Sequence, residues 1–178
     1  MMPEGPILGR GWTMKTSVYV ETSIPSYLAA LPSLDLLTAT HQQITHTWWR
    51  AAPERHDLYV SEVVRREIRR GDPATAAIRL QYVAGLPVLQ ANAKIRGLAR
   101  LYLQRVGLAE SAATDMIHVA FASYFKIKYL VTWNCAHLAN SAVIFRLTEI
   151  NLGIGRHMPY IVTPEELLLP EWENEHEA

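Results

Sequence analysis

The chain has 178 residues, 49% hydrophobic and 19% charged, which is ordinary composition for one domain large enough to bury its own core. Seventeen Lys and Arg balance seventeen Asp and Glu, so a uniformly basic nucleic-acid coat is excluded, although a local basic patch is not. A single cysteine, Cys135, excludes an internal disulfide and a Cys-rich zinc site and fits a reducing, cytoplasmic setting.

The opening "MMPEGPILGRGWTM" lacks the basic start and long apolar stretch of a signal peptide, so residues 1–13 read as an extension and Met14 as a candidate start. Residues 17–21, "SVYVE", read as a first strand, followed by a short helix at 22–30 that tolerates Pro25 in its first turn. A longer helix is expected at 35–51, with Leu36, Leu37, Ile44, Trp48 and Trp49 near one face. Residues 57–61 form a second strand, and Ser61 caps a helix at 62–70 that stops at Gly71 and Pro73. Pro73 opens a further helix to about residue 84, and 86–90 is a third short strand. Helices at 92–106 and 110–126 precede the most apolar strand, 129–133. A helix at 138–152 and a fifth strand at 160–164 complete the pattern, before an acidic tail at 169–178. The longest weakly polar run, "MIHVAFASYF", is too short to span a bilayer.

Strands alternating with helices imply an α/β fold: one domain over 14–168, with a mainly parallel central sheet of about five strands flanked by helices. In such sheets the ligand crevice lies at the carboxyl ends of the strands, and that is where the chemistry-bearing residues fall. Glu21 ends the first strand and Asn134 follows the fourth. Glu67 and Asp115 lie on helices, Asp115 among alanines and apolar residues where an unpaired carboxylate would be costly. Taken singly, Asp115 reads as a ligand more than as a buried ion pair or cap, Glu67 fits a solvated helix face, Glu21 divides evenly between a cap and a ligand, and Asn134 fits a turn. Together, three carboxylates and an amide at one sheet edge would repel each other without a cation. Hard oxygen donors of this kind suit Mg²⁺ or Mn²⁺, which can activate water and stabilise charge on a phosphodiester.

The stretches "VYVETS", "LYVSEVVRREIRRGDP", "AATDMIHVAFA" and "YLVTWNCAHLAN" resemble, in order, the successive motifs of PIN-domain proteins, and most closely the VapC-type toxin branch of toxin–antitoxin systems. The likeness runs from about residue 16 to 165. It implies a single three-layer PIN-like domain and a Mg²⁺- or Mn²⁺-dependent ribonuclease that leaves a 5′ phosphate and a 3′ hydroxyl. It also implies a small antitoxin protein as partner and a homodimer. By matching motifs, Glu21, Glu67 and Asp115 stand at the family's first three acids and Asn134 at the fourth. Two departures stand out. The first acid is Glu rather than Asp, which should move the metal or let it bind bidentately. The fourth is Asn, so the site carries three negative charges rather than four, and one firmly bound metal is expected.

His118, three residues after Asp115, reads as a supporting or core histidine rather than a catalytic base, and Trp133 as packing rather than a base-stacking platform. Thr22 and Ser23 fit either helix capping or the positioning of Glu21. Arg65, Arg66, Arg69 and Arg70 fit either a solvated helix end or phosphate contact. Trp48 and Trp49 read as core or interface. Two rival readings stand beside the nuclease: a degenerate domain that grips RNA or a protein without cutting, and a structural domain whose acids only form salt bridges.

Overall fold

The computed structural model describes residues 15–169. The extension at 1–13 and the acidic tail beyond Leu169 lie outside the described residues. The elements follow in the order β1 (Thr16–Val20), α1 (Ser23–Ala29), α2 (Leu36–Arg55), β2 (His56–Ser61), α3 (Glu62–Glu67), α4 (Pro73–Val83) and β3 (Val88–Leu89). Then come α5 (Ala93–Val106), a 3₁₀ turn (Glu110–Ala112), α6 (Ala113–Tyr124), β4 (Tyr129–Val131), α7 (Ser141–Gly153), β5 (Tyr160–Val162) and α8 (Pro164–Leu168).

The five strands form one sheet in the order β3-β2-β1-β4-β5, and every pairing is parallel. Parallel strands need crossover helices, which cover both faces and force the strands to be apolar on both sides. Central β1 obeys this, with Val18, Tyr19 and Val20 fully buried. The helices pack in two groups, α1 with α2 and α4 and α2 with α8 in one, α5 with α6 and α7 in the other. A sheet buried on both sides between two helix groups gives three layers.

Local chemistry sets most boundaries. Asp35, Ser61, Asp72, Asn92 and Asn140 each cap a helix by accepting from a backbone N–H in its first turn. At the end of α5, Gly107 takes a left-handed φ of +77°, which a β-carbon would strain. Helix α2 runs past the expected 51 to Arg55, with Pro53 inside its last turn.

Several boundaries differ from the sequence expectation. Strand β1 stops at Val20, so Glu21 lies just past its end. Strand β4 stops at Val131, and β3 is only Val88–Leu89. Helix α7 starts at Ser141 rather than 138, because the backbone amides of Leu138 and Ala139 both donate to the Asn134 carbonyl in a tight turn. Residue 164 is not strand but the first residue of α8, a short helix absent from the sequence reading. No helix among the described residues is long and apolar enough to cross a membrane.

Candidate active site

The strand order makes β1 the switch point: the chain builds outward through β2 and β3, then returns to add β4 and β5 on the other side of β1. The crevice of an open parallel sheet lies outside the carboxyl ends of the two strands at the switch. Here those ends are Glu21, directly after β1, and Thr132–Asn134, directly after β4. The Glu21 amide donates to the Val131 carbonyl at 3.2 Å, which fixes the two ends side by side.

Glu21 is buried, with 6% of its surface exposed. Its Oε2 accepts three hydrogen bonds: from the Ser23 amide (2.9 Å), the Ser23 hydroxyl (2.5 Å) and the Thr132 hydroxyl (2.8 Å). The extra methylene of Glu over Asp is thus folded back and held through one oxygen. All three of these hydrogen bonds fall on Oε2. Thr22 does not cap α1 either; its hydroxyl donates to Glu67 Oε2 at 2.5 Å. Of the two readings of Thr22 and Ser23, positioning of carboxylates is the one realised.

Glu67 ends α3. Its Oε2 also meets His118 Nε2 at 3.0 Å. His118 is 1% exposed, and its Nδ1 lies 2.7 Å from the buried Tyr19 hydroxyl, which lies 2.7 Å from Ser61 Oγ. His118 is therefore a supporting group, as the sequence suggested. Burial pushes the Glu67 carboxyl up, but the hydrogen bond and charge of His118, the Thr22 hydroxyl and the charge of Arg70 outweigh it and leave the group below its ordinary value. Arg70 is exposed and Arg69 donates to the Arg65 carbonyl, so the basic cluster serves both as helix end and as a field on Glu67.

Asp115 lies in the first turn of α6. Its Oδ1 accepts from Asn134 Nδ2 at 2.9 Å, and its Oδ2 lies 2.9 Å from His137 Nδ1. The His137 amide donates to Asn134 Oδ1 at 3.1 Å. Burial raises the Asp115 carboxyl above its ordinary value, His137 and His118 oppose this, and the charge of Glu21 adds to it.

The four residues expected from the sequence therefore lie in two hydrogen-bonded sets, Glu21, Asn134 and Asp115 in one and Glu67 in the other, joined by the peptide bond between Glu21 and Thr22. Glu67 joins Thr22, which adjoins Glu21; Thr132 Oγ1 donates to Glu21 and accepts the Asn134 amide at 2.9 Å; and Asn134 joins Asp115. Asn134 reaches the site as a hydrogen-bond donor to Asp115, with its own carbonyl oxygen turned to the His137 amide. Sequence reasoning missed Thr132 and His137. The only signal for His137 was its place three residues after an Asn that follows a strand, a common turn spacing.

Among the described residues, no three His, Cys, Asp or Glu side chains form a group tight enough to hold a metal ion as they stand. The donor chemistry still fits a hard divalent cation. Mg²⁺ characteristically uses one or two carboxylates, waters and substrate phosphates rather than an all-protein cage. Glu21 and Asp115, linked through Thr132 and Asn134, are the carboxylates such an ion would join, with Glu67 as a further candidate.

No protein-family model matches the chain, and no curated protein does. Solved structures do. The structure of VapBC2 from Rickettsia felis, bound to a DNA fragment from their promoter, matches with a TM-score of 0.54 at 13% identity, over 83% of this chain and 98% of that one. The structure of Mycobacterium tuberculosis VapC20, a sarcin-ricin loop cleaving toxin, matches with a TM-score of 0.50 at 18% identity, over 64% of this chain and 86% of that one. The chain thus has a PIN-type α/β fold. Within that class its fold is the one seen in VapC structures.

Proposed function

We propose that the protein is a Mg²⁺- or Mn²⁺-dependent endoribonuclease, the toxin of a toxin–antitoxin pair. The observation that carries this reading is the network that joins Glu21, Asn134 and Asp115 at the switch point of a VapC-like sheet, with Glu67 held by Thr22, the residue next to Glu21. The metal, held by Glu21 and Asp115 with Glu67 beside them, would supply an activated water and charge neutralisation at the phosphodiester. The chain's own residues do the rest. Ser23 and Thr132 fix Glu21 through Oε2. Thr22 and His118 fix Glu67. Asn134 and His137 hold both oxygens of Asp115, so that each carboxylate is oriented before substrate arrives. VapC20's description as a loop-cleaving toxin supports RNA as the substrate class. The VapBC2 structure supports a small antitoxin protein as partner. A homodimer and a cytoplasmic location belong to the same proposal.

The test is cleavage of single-stranded RNA with Mn²⁺, with Mg²⁺ and with EDTA. The proposal expects metal-dependent cuts that leave a 5′ phosphate and a 3′ hydroxyl. A second reading, a domain that binds RNA or protein without cutting, draws on Asn134, which is uncharged and spent on Asp115. RNA binding with no cleavage under either metal would favour it.

A further inference from the structure

An aromatic cluster borders the site and is not used by the carboxylates. Trp133 immediately precedes Asn134, and its backbone amide donates to Ser23 Oγ at 2.8 Å, the hydroxyl that holds Glu21. Its indole donates from Nε1 to Thr45 Oγ1 at 2.7 Å, and the residue is 8% exposed. Trp133 is therefore packed, as its sequence context suggested. What it packs against is informative. His41 of α2, one turn before Thr45, stacks on the indole with ring centres 4.0 Å apart and planes 15° from parallel. Tyr27 of α1, one turn after Ser23, stands edge-on to His41 at 5.9 Å and tilted to Trp133 at 6.1 Å.

Tyr27 and His41 are only half-buried. Among the described residues, neither ring nitrogen of His41 nor the Tyr27 hydroxyl has a hydrogen-bond partner, so both rings keep a polar edge unspent. Leu37, one turn before His41 on α2, is 65% exposed and prolongs the same apolar lip. Flat rings held rigidly from behind, with spare donors and acceptors at their edges, are what an unstacked nucleobase needs.

We propose that His41, backed by the stacked Trp133 and flanked edge-on by Tyr27, forms a stacking platform for an unpaired base of the RNA substrate. This rests on the ribonuclease reading and deepens it: the substrate would be single-stranded or looped RNA, because a base inside a duplex is already stacked. His41 acts here as a ring, not as an acid or base.

The experiment measures binding of a fluorescently labelled single-stranded RNA to the full chain in EDTA, where no cleavage occurs, alongside cleavage in Mn²⁺. The proteins are wild type, His41→Ala, His41→Phe and Tyr27→Leu, each checked for an unchanged melting temperature. His41→Ala and Tyr27→Leu should weaken binding about 5- to 150-fold, the range for loss of one stacked base. His41→Phe should restore binding to within a few-fold of wild type, and the same sequence as a duplex should compete poorly. Folded His41→Ala and Tyr27→Leu proteins that bind as wild type, or a duplex that competes equally, would overturn the platform while leaving an active ribonuclease standing. A His41→Phe protein as weak as His41→Ala would also overturn it. A wild type that neither binds nor cleaves RNA would instead remove the ribonuclease reading, and the platform with it.

Discussion

The two acids flanked by histidines are held in opposite electrostatic balance, and this gives predictions of opposite sign. Glu67 sits below its ordinary value because His118, Thr22 and Arg70 together outweigh the burial that pushes it up. Its ionisation therefore stabilises the fold above the ordinary carboxylate range, and that stability is lost as pH falls through the folded value. Glu67→Gln should lower metal-free stability at neutral pH by about 1.5–3 kcal/mol, the usual worth of hydrogen bonds to a charged group. Asp115 is raised, chiefly by burial, so its ionisation weakens the metal-free fold as pH rises through the folded value. Asp115→Asn should therefore raise the melting temperature in EDTA at neutral pH. Thermal unfolding of both variants in EDTA checks the pair; if Asp115 were only a structural partner of His137, its removal would lower the melting temperature instead. At Glu21, Ser23→Ala removes a hydroxyl that donates to Oε2. It should cost about 1 kcal/mol in denaturant unfolding and weaken Mn²⁺ binding in the same protein.

Single elements explain how much of this was legible in the sequence. The four site residues were legible because each sits at a boundary that local chemistry marks: an acid after an alternating strand, a helix opened by Ser61, an acid in an otherwise apolar helix, an Asn after an apolar run. Their partners were not. Thr132 read as one more strand residue, and it matters because β4 ends one position before it, next to the end of β1. His137 read as the approach to a helix, and it matters because the turn after Asn134 folds it onto Asp115. Both depend on non-local pairing that no periodicity encodes. Helix α8 was missed although its capping box was visible in "TPEE": Thr163 and Glu166 satisfy each other's backbone amides. The strand pattern before it masked the signal. Ser61 carries two duties, accepting from the Val64 amide as the cap of α3 and meeting the buried Tyr19 hydroxyl. Ser61→Ala should therefore cost more than an ordinary cap, about 2–3 kcal/mol by denaturant unfolding, because it also removes one of the two partners of the buried Tyr19 hydroxyl and leaves only His118.

For the whole molecule, the topology turns a list of scattered acids into a site. Residues 21, 67, 115 and 134 meet because the chain reverses direction at β1 and lays β4 beside it. The alternation of strands and helices made the fold class readable, but the strand order could not be read, since every strand is short and apolar. Three carboxylates with Asn134 engaged to Asp115 predict one Mn²⁺ bound firmly, and titration calorimetry should give a stoichiometry near one; two tight sites would contradict the reading of position 134. The most direct test of the central claim is thermal melting of wild type and Asp115→Asn with and without Mn²⁺. The account predicts that Mn²⁺ raises the melting temperature of wild type and leaves Asp115→Asn unmoved, because an ion that binds only the folded state stabilises it. No shift in wild type, or an equal shift in both proteins, would contradict it.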